Sequence, residues 1–117
     1  MEKIVPPGGI HYLIDFYGVS PDKLTNAQDM ASHMIKAAIL AGANVLSDHF
    51  HHFGEGCGVT GVLILSESHM SIHTWPETGY ASIDIYMCGD SSPDKCIPIL
   101  EKYFNPVDSK INRIERN

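Results

Sequence analysis

Val59 to Ser66 (VTGVLILS), Ser71 to Thr74 and Tyr80 to Met87 (YASIDIYM) follow one another with only short turns between them. This spacing constrains the fold more than any other feature. A parallel crossover needs a dozen or more residues, and these links are shorter, so the strands are expected to run antiparallel. His11 to Tyr17 (HYLIDFY) alternates in the same way and reads as another strand, after a loose lead-in at Pro6-Pro7-Gly8-Gly9. Asn44 to Phe53 and Ser109 to Arg116 complete the set, the last as an exposed strand.

Two helices are expected among these strands. In Asn26 to Ala41, residues Met30, Met34, Ala37, Ala38 and Ala41 share one helical face. Thr25 or Asn26 can cap it, and Gly42 supplies the left-handed stop. Ser92 to about Phe104 reads as the second helix, with Pro98 forcing a kink or a late start. Gly18 to Asp22 is expected as a turn, and so is the stretch around Glu67 to Met70. The order β-α-β-β-β-β-α-β then gives an α+β two-layer sandwich, a mainly antiparallel sheet with two helices on one face. The other sheet face needs a cover, and a second copy of the chain is the simplest one.

The 117 residues suit a single domain over 1–117, and 44% hydrophobic with 19% charged content fits a globular core. The formal charge of −6, with no basic run, argues against nucleic acid or an anionic membrane as partner. No apolar run approaches a membrane span, and MEKIVPPGGIHYLIDFYG lacks the features of a signal peptide. Cys57, Cys88 and Cys96 are odd in number and widely spaced, which fits a reducing, cytoplasmic location better than a disulfide scaffold.

The segment Leu65 to Glu77, LSESHMSIHTWPE, is not explained by core packing. Histidines crowd His49 to His73, which raises the question of a metal. Alternation sends His49 and His51 to one face and His52 to the other, and no Cys or carboxylate stands at a ligand spacing, so no metal is expected. A hydrolase triad of Ser68, His69 or His73, and Asp84 lacks a Gly-x-Ser-x-Gly elbow. Taken singly, a Ser in a turn or a Trp before a Pro is structural.

Together, the residues from Gly58 to Gly89 (GVTGVLILSESHMSIHTWPETGYASIDIYMCG), with HFHHF and GIHYLIDFYG before them, resemble the small prokaryotic S-adenosylmethionine decarboxylases, a pyruvoyl-dependent family. The resemblance implies that the chain cuts itself between Glu67 and Ser68, giving a β chain 1–67 and an α chain 68–117. The Ser68 hydroxyl would attack the preceding carbonyl to form an ester. Loss of the Ser68 α-proton would expel the Glu67 carboxylate, and hydrolysis of the resulting dehydroalanine would leave a pyruvoyl group. Such chemistry at a backbone bond needs a strained turn, an oxyanion donor and a base. His73 matches the family's processing base. Thr60 stands where a Ser that assists cleavage is common. The pyruvoyl ketone would form a Schiff base with the substrate amine and accept the electrons released with CO2. Cys88 matches the acid that reprotonates the α-carbon.

The resemblance also implies that Phe53 and Trp75 sandwich the adenine and that Glu77 holds the ribose hydroxyls. The product would feed spermidine synthesis. One departure is the Gly54-Glu55-Gly56-Cys57 loop, where many members carry a shorter, Pro-containing one. Glu55 or Asp48 could there meet a distal cation, which keeps L-ornithine or L-arginine open as the substrate. An unprocessed regulatory partner subunit is a further alternative. A homodimer of cleaved protomers, with active sites at the interface, is expected from the same resemblance.

Overall fold

The computed structural model describes residues 6–117, and the first five residues of the N-terminal lead-in lie outside that range. The elements are β1 (Gly9–Tyr17), α1 (Pro21–Thr25), α2 (Ala27–Leu40), β2 (Val45–His52), β3 (Val59–Leu65), β4 (Ser68–Trp75), β5 (Tyr80–Cys88), a 3-10 turn at Pro93–Lys95, α3 (Cys96–Phe104) and β6 (Asp108–Arg116). The six strands form one sheet in the order β2-β3-β4-β5-β1-β6, with every neighbouring pair antiparallel. The α1–α2 segment carries the chain from β1 to the far edge of the sheet, where β2 begins.

Four local expectations are refined. Asn26 caps α2, its side chain accepting the Asp29 N–H at 3.0 Å, and the chain leaves the helix through Gly42 at φ 87°. Pro98 neither kinks nor breaks α3. The helix starts late, after the 3-10 turn, so Pro98 falls in the first turn, where a backbone N–H has no intrahelical partner to lose. The end of the turn expected over Gly18 to Asp22 instead opens the short helix α1, started by Pro21 and anchored by the fully buried Leu24. The turn at Glu67 is also shorter than expected. Strand pairing resumes at Ser68, opposite Met87, so β4 is one continuous strand rather than a turn followed by four residues.

Alternation divides the sheet into two unlike faces. Tyr12, Ile14 and Phe16 of β1, Leu63 of β3, Met70 and Ile72 of β4, and Ile83, Ile85 and Met87 of β5 are buried. They pack in one core with Met30, Met34, Leu100 and Phe104 of the helices. Burying each such side chain contributes about 1.5–3 kcal/mol. Phe50 of β2 lies across Gly61 of β3, where a Cβ would stand 2.2 Å from the ring. The opposite face carries His11, Asp15, Thr60, His69, Ser71, His73, Asp84, Tyr86 and Cys88, interspersed with exposed Leu13, Ile64 and Ile114. The helices leave that face open, and β6 at its edge is exposed along its whole length. The α+β layering read from the sequence is the observed one.

Candidate active site

Two groups of functional side chains occupy opposite ends of β4. The first surrounds the Glu67–Ser68 bond. The short turn between β3 and β4 brings the Glu67 carbonyl beside Cys88, the last residue of β5. Cys88 Sγ–H donates to that oxygen at 2.9 Å, and the Cys88 backbone N–H points to it at 3.4 Å. A carbonyl with two donors aimed at its oxygen is polarised toward attack at carbon. Ser68, which carries the hydroxyl, is the next residue. On the other flank, Asn44 holds the Glu67 carboxylate through its backbone N–H at 2.9 Å and its Nδ2 at 3.1 Å. These contacts, the backbone N–H first and the Ser66 hydroxyl next, hold the Glu67 carboxyl below its ordinary range.

The second group lies at the other end of β4. Thr60 on β3 and His73 on β4 are direct cross-strand partners, and Thr60 Oγ1 and His73 Nδ1 share a hydrogen bond at 3.1 Å. They line a pocket of about 420 Å³ together with Phe53, Cys57, Trp75 and Glu77. Phe53 and Trp75 stand 60% and 40% exposed, so each ring leaves aromatic surface open to a ligand. Trp75 is held by stacking on Tyr80 at 5.2 Å, and Tyr80 in turn stacks on Tyr17. Thr74 fixes the pocket floor. Its buried hydroxyl donates to the Leu24 carbonyl at 2.7 Å and accepts the Val59 N–H at 2.8 Å. Gly58 lies so close to Thr74 that a Cβ there would sit 2.0 Å from its carbonyl oxygen. Glu55 is exposed in the loop and does not line this pocket, and Asp48 is exposed on β2.

The structure therefore gathers Glu67, Ser68 and Cys88 in one place and Phe53, Thr60, His73, Trp75 and Glu77 in another. It does not join the two groups within one chain. His73 is five residues beyond Ser68 on a straight strand. At about 3.3 Å per residue that is roughly 17 Å, far beyond the reach of an imidazole. The odd separation also turns the two side chains toward opposite faces.

Between the two groups lies a cluster that was not read from the sequence as a unit. His11, His69 and Asp84 come from β1, β4 and β5 and converge on the open face. Asp84 Oδ2 accepts His11 Nε2–H at 2.8 Å and His69 Nε2–H at 3.1 Å, while Oδ1 accepts the Ser71 hydroxyl. Desolvation pushes the Asp84 carboxyl up, but the hydrogen bonds from Ser71, His11 and His69 outweigh it and leave the group below its ordinary range. Arg116 donates to His11 Nδ1 at 3.2 Å. Arginine can only donate, so the His11 proton sits on Nε2, facing Asp84. The cluster is a closed hydrogen-bond network around one ionised carboxylate. Its members lie up to 73 residues apart, which is why no spacing rule reveals it.

A family model described as S-adenosylmethionine decarboxylase matches residues 10–117. Among curated relatives, an S-adenosylmethionine decarboxylase proenzyme of Persephonella marina (strain DSM 14350 / EX-H1) is 44% identical over 114 residues, covering 95% of this chain and 83% of the relative. One from Moorella thermoacetica (strain ATCC 39073 / JCM 9320) is 43% identical over 110 residues, covering 92% of this chain and 86% of the relative. The crystal structure of the adenosylmethionine decarboxylase from Aquifex aeolicus VF5 superposes with a TM-score of 0.87 at 36% identity, covering 97% of this chain and 93% of that one.

Proposed function

Because the chain belongs to the S-adenosylmethionine decarboxylase family, we propose that it decarboxylates S-adenosylmethionine with a pyruvoyl cofactor made from its own Ser68, supplying the product for spermidine synthesis. The observation that carries this reading is the pair of Cys88 donors on the carbonyl of the Glu67–Ser68 bond. Attack by Ser68 Oγ places negative charge on that oxygen, where the two donors already point, so the transition state is favoured over the ground state. The amide nitrogen of Ser68 takes up a proton as the bond to Glu67 passes to Oγ. A base then removes the Ser68 α-proton and the Glu67 carboxylate leaves. One water enters and ammonia departs, and the new α chain begins with a ketone. The residues present fit that ketone, because Cys88 stands beside position 68 as a proton donor.

The pyruvoyl group, once formed, supplies the electrophile that takes the substrate amine and the sink for the electrons released with CO2. The chain's other residues bind and orient. Phe53 and Trp75 offer aromatic faces to the adenine and the sulfonium cation, and Glu77 offers a carboxylate to the ribose hydroxyls. Cys88 is the donor for the α-carbon. The exposed position of Glu55 gives no support to an ornithine or arginine substrate in this pocket.

The separation of the two groups along β4 is accounted for by a homodimer. A two-fold axis lying between two facing sheets, parallel to them and perpendicular to β4 at the level of Met70 and Ser71, lays the Ser68 end of β4 of one protomer over the His73 end of the other, and the reverse. Each complete site then takes Ser68 and Cys88 from one chain and Thr60, His73 and the binding pocket from its partner. The open sheet face, with Leu13 at 39%, Ile64 at 49% and Ile114 at 41% exposure, becomes the interface.

Denaturing intact-mass analysis of purified protein tests the cofactor: two fragments divided at Glu67–Ser68, the C-terminal one with a pyruvoyl mass, are expected. Ser68→Ala is expected to remain one chain. A side-by-side CO2-release assay with S-adenosylmethionine, ornithine and arginine tests the substrate, and silence with the first would overturn it.

A further inference from the structure

Asn44 is placed to act on the turn between β3 and β4. It ends the loop after α2, immediately before β2, and lies 23 residues from Glu67 in sequence. It nevertheless touches both residues of the turn that carries the scissile bond. The Asn44 carbonyl accepts the Ser66 N–H at 3.0 Å. Its own N–H donates to Glu67 Oε1 at 2.9 Å, and its Nδ2 donates to Oε2 at 3.1 Å. The carboxylate is thus gripped at both oxygens from one flank, while Cys88 holds the Glu67 main-chain carbonyl from the other.

We propose that Asn44 is a positioning residue for self-cleavage, anchoring Glu67 so that its carbonyl stays on the Cys88 donors and in line with the Ser68 hydroxyl. The proposal rests on the reading of Glu67–Ser68 as the cleaved bond. Ring closure from Ser68 Oγ onto the preceding carbonyl demands one orientation of the peptide between them. A short surface turn samples many orientations unless something fixes it. Gripping the side chain at both oxygens restricts the rotations of Glu67 and leaves its carbonyl one partner. Holding a reacting group in its attack geometry is a recognised source of rate. The depressed Glu67 carboxyl is in keeping with this grip, since only the ionised form accepts at both oxygens.

The test follows cleavage of freshly synthesised full-length chain over time by denaturing intact mass, for the wild type, Asn44→Ala, Asn44→Asp, Glu67→Gln, Glu67→Ala and the Asn44→Ala/Glu67→Ala pair. Asn44→Ala removes one charge-assisted bond and leaves the backbone donor, so cleavage is expected to slow about threefold to tenfold. Asn44→Asp sets two carboxylates against each other and is expected to be slower still. Glu67→Gln, which keeps one acceptor oxygen, is expected to fall between the wild type and Glu67→Ala. The decisive readout is the double-mutant cycle: if Asn44 acts through Glu67, Asn44→Ala has no further effect once Glu67 is Ala. A merely structural role for Asn44 would instead give additive losses. Additive losses, or wild-type rates in both Asn44→Asp and Glu67→Gln, would overturn the proposal while wild-type cleavage at Glu67–Ser68 leaves the underlying reading intact. A wild-type chain that never divides there would remove both.

Discussion

The split site makes a prediction that no single-chain site could satisfy. Ser68→Ala and His73→Ala are each expected to yield uncleaved, inactive protein when made alone. Made together in one cell in equal amounts, they are expected to rescue one another. The reason is the distance of roughly 17 Å along β4 between the two positions, which only a second chain can bridge. Random pairing gives about half hybrid dimers, and each hybrid holds one site with both Ser68 and His73 and one site with neither. About half of the His73→Ala chains should therefore divide at Glu67–Ser68, and none of the Ser68→Ala chains. Decarboxylation should return to about a quarter of the wild-type rate per chain, because a quarter of the sites are complete. Different affinity tags on the two variants allow hybrid isolation, and denaturing intact mass identifies which chain was cut. Isolated hybrids with no cut chain would refute the shared site. So would His73→Ala alone dividing at the wild-type rate.

Thr74→Val keeps the side chain's shape but leaves the buried Val59 N–H and Leu24 carbonyl without partners. At about 1–3 kcal/mol per orphaned group, a loss of about 2–6 kcal/mol is expected, seen as a lower urea midpoint at unchanged slope, and a change under about 1 kcal/mol would contradict it. Cys88→Ala is expected to cleave more slowly, with the backbone donor remaining on the Glu67 carbonyl, and its cleaved fraction to release CO2 poorly. Full turnover per pyruvoyl would take Cys88 out of the decarboxylation. Asp84, pushed up by desolvation but held below the ordinary carboxyl value of 3.8 by hydrogen bonds from Ser71, His11 and His69 that outweigh it, stabilises the fold above that pH, and its contribution is lost as pH falls through the folded value. Asp84→Asn is therefore expected to be less stable at neutral pH and to lose less on acidification below pH 3.8, measured by thermal melts across that range.

The clearest sequence signals were those that repeat locally. Alternation in HYLIDFY and YASIDIYM identified the strands, because side chains on a strand must point to opposite sides in turn. Short links between Val59 and Met87 required antiparallel neighbours. The Met30, Met34, Ala37 and Ala38 stripe located α2. Errors came where local signals were brief or shared. Gly18 to Asp22 reads as a turn, but its last two residues begin α1, which forms because Leu24 finds the core. Glu67 to Met70 reads as a polar turn until Ser68 and its neighbours pair with β5.

The candidate residues Ser68, His73, Cys88, Trp75 and Glu77 stood out in the sequence only through the resemblance of the Gly58 to Gly89 stretch to a family, since each taken singly reads as structural. Their sequence nearness was misleading about their arrangement. Ser68 and His73 are neighbours in the chain but occupy opposite ends of a rigid strand, whereas Cys88 and Asn44 are distant in the chain and flank Glu67 directly. Pairing register decides the first contact and loop placement the second, and both depend on how the whole sheet assembles around its core. The sequence by itself determined that neighbouring strands run antiparallel, where the long helix lies and which residue types the chain has available. Only the tertiary structure decided that those residues fall into two separated groups, because a strand keeps its members at fixed distances and contacts across strands are set by global packing.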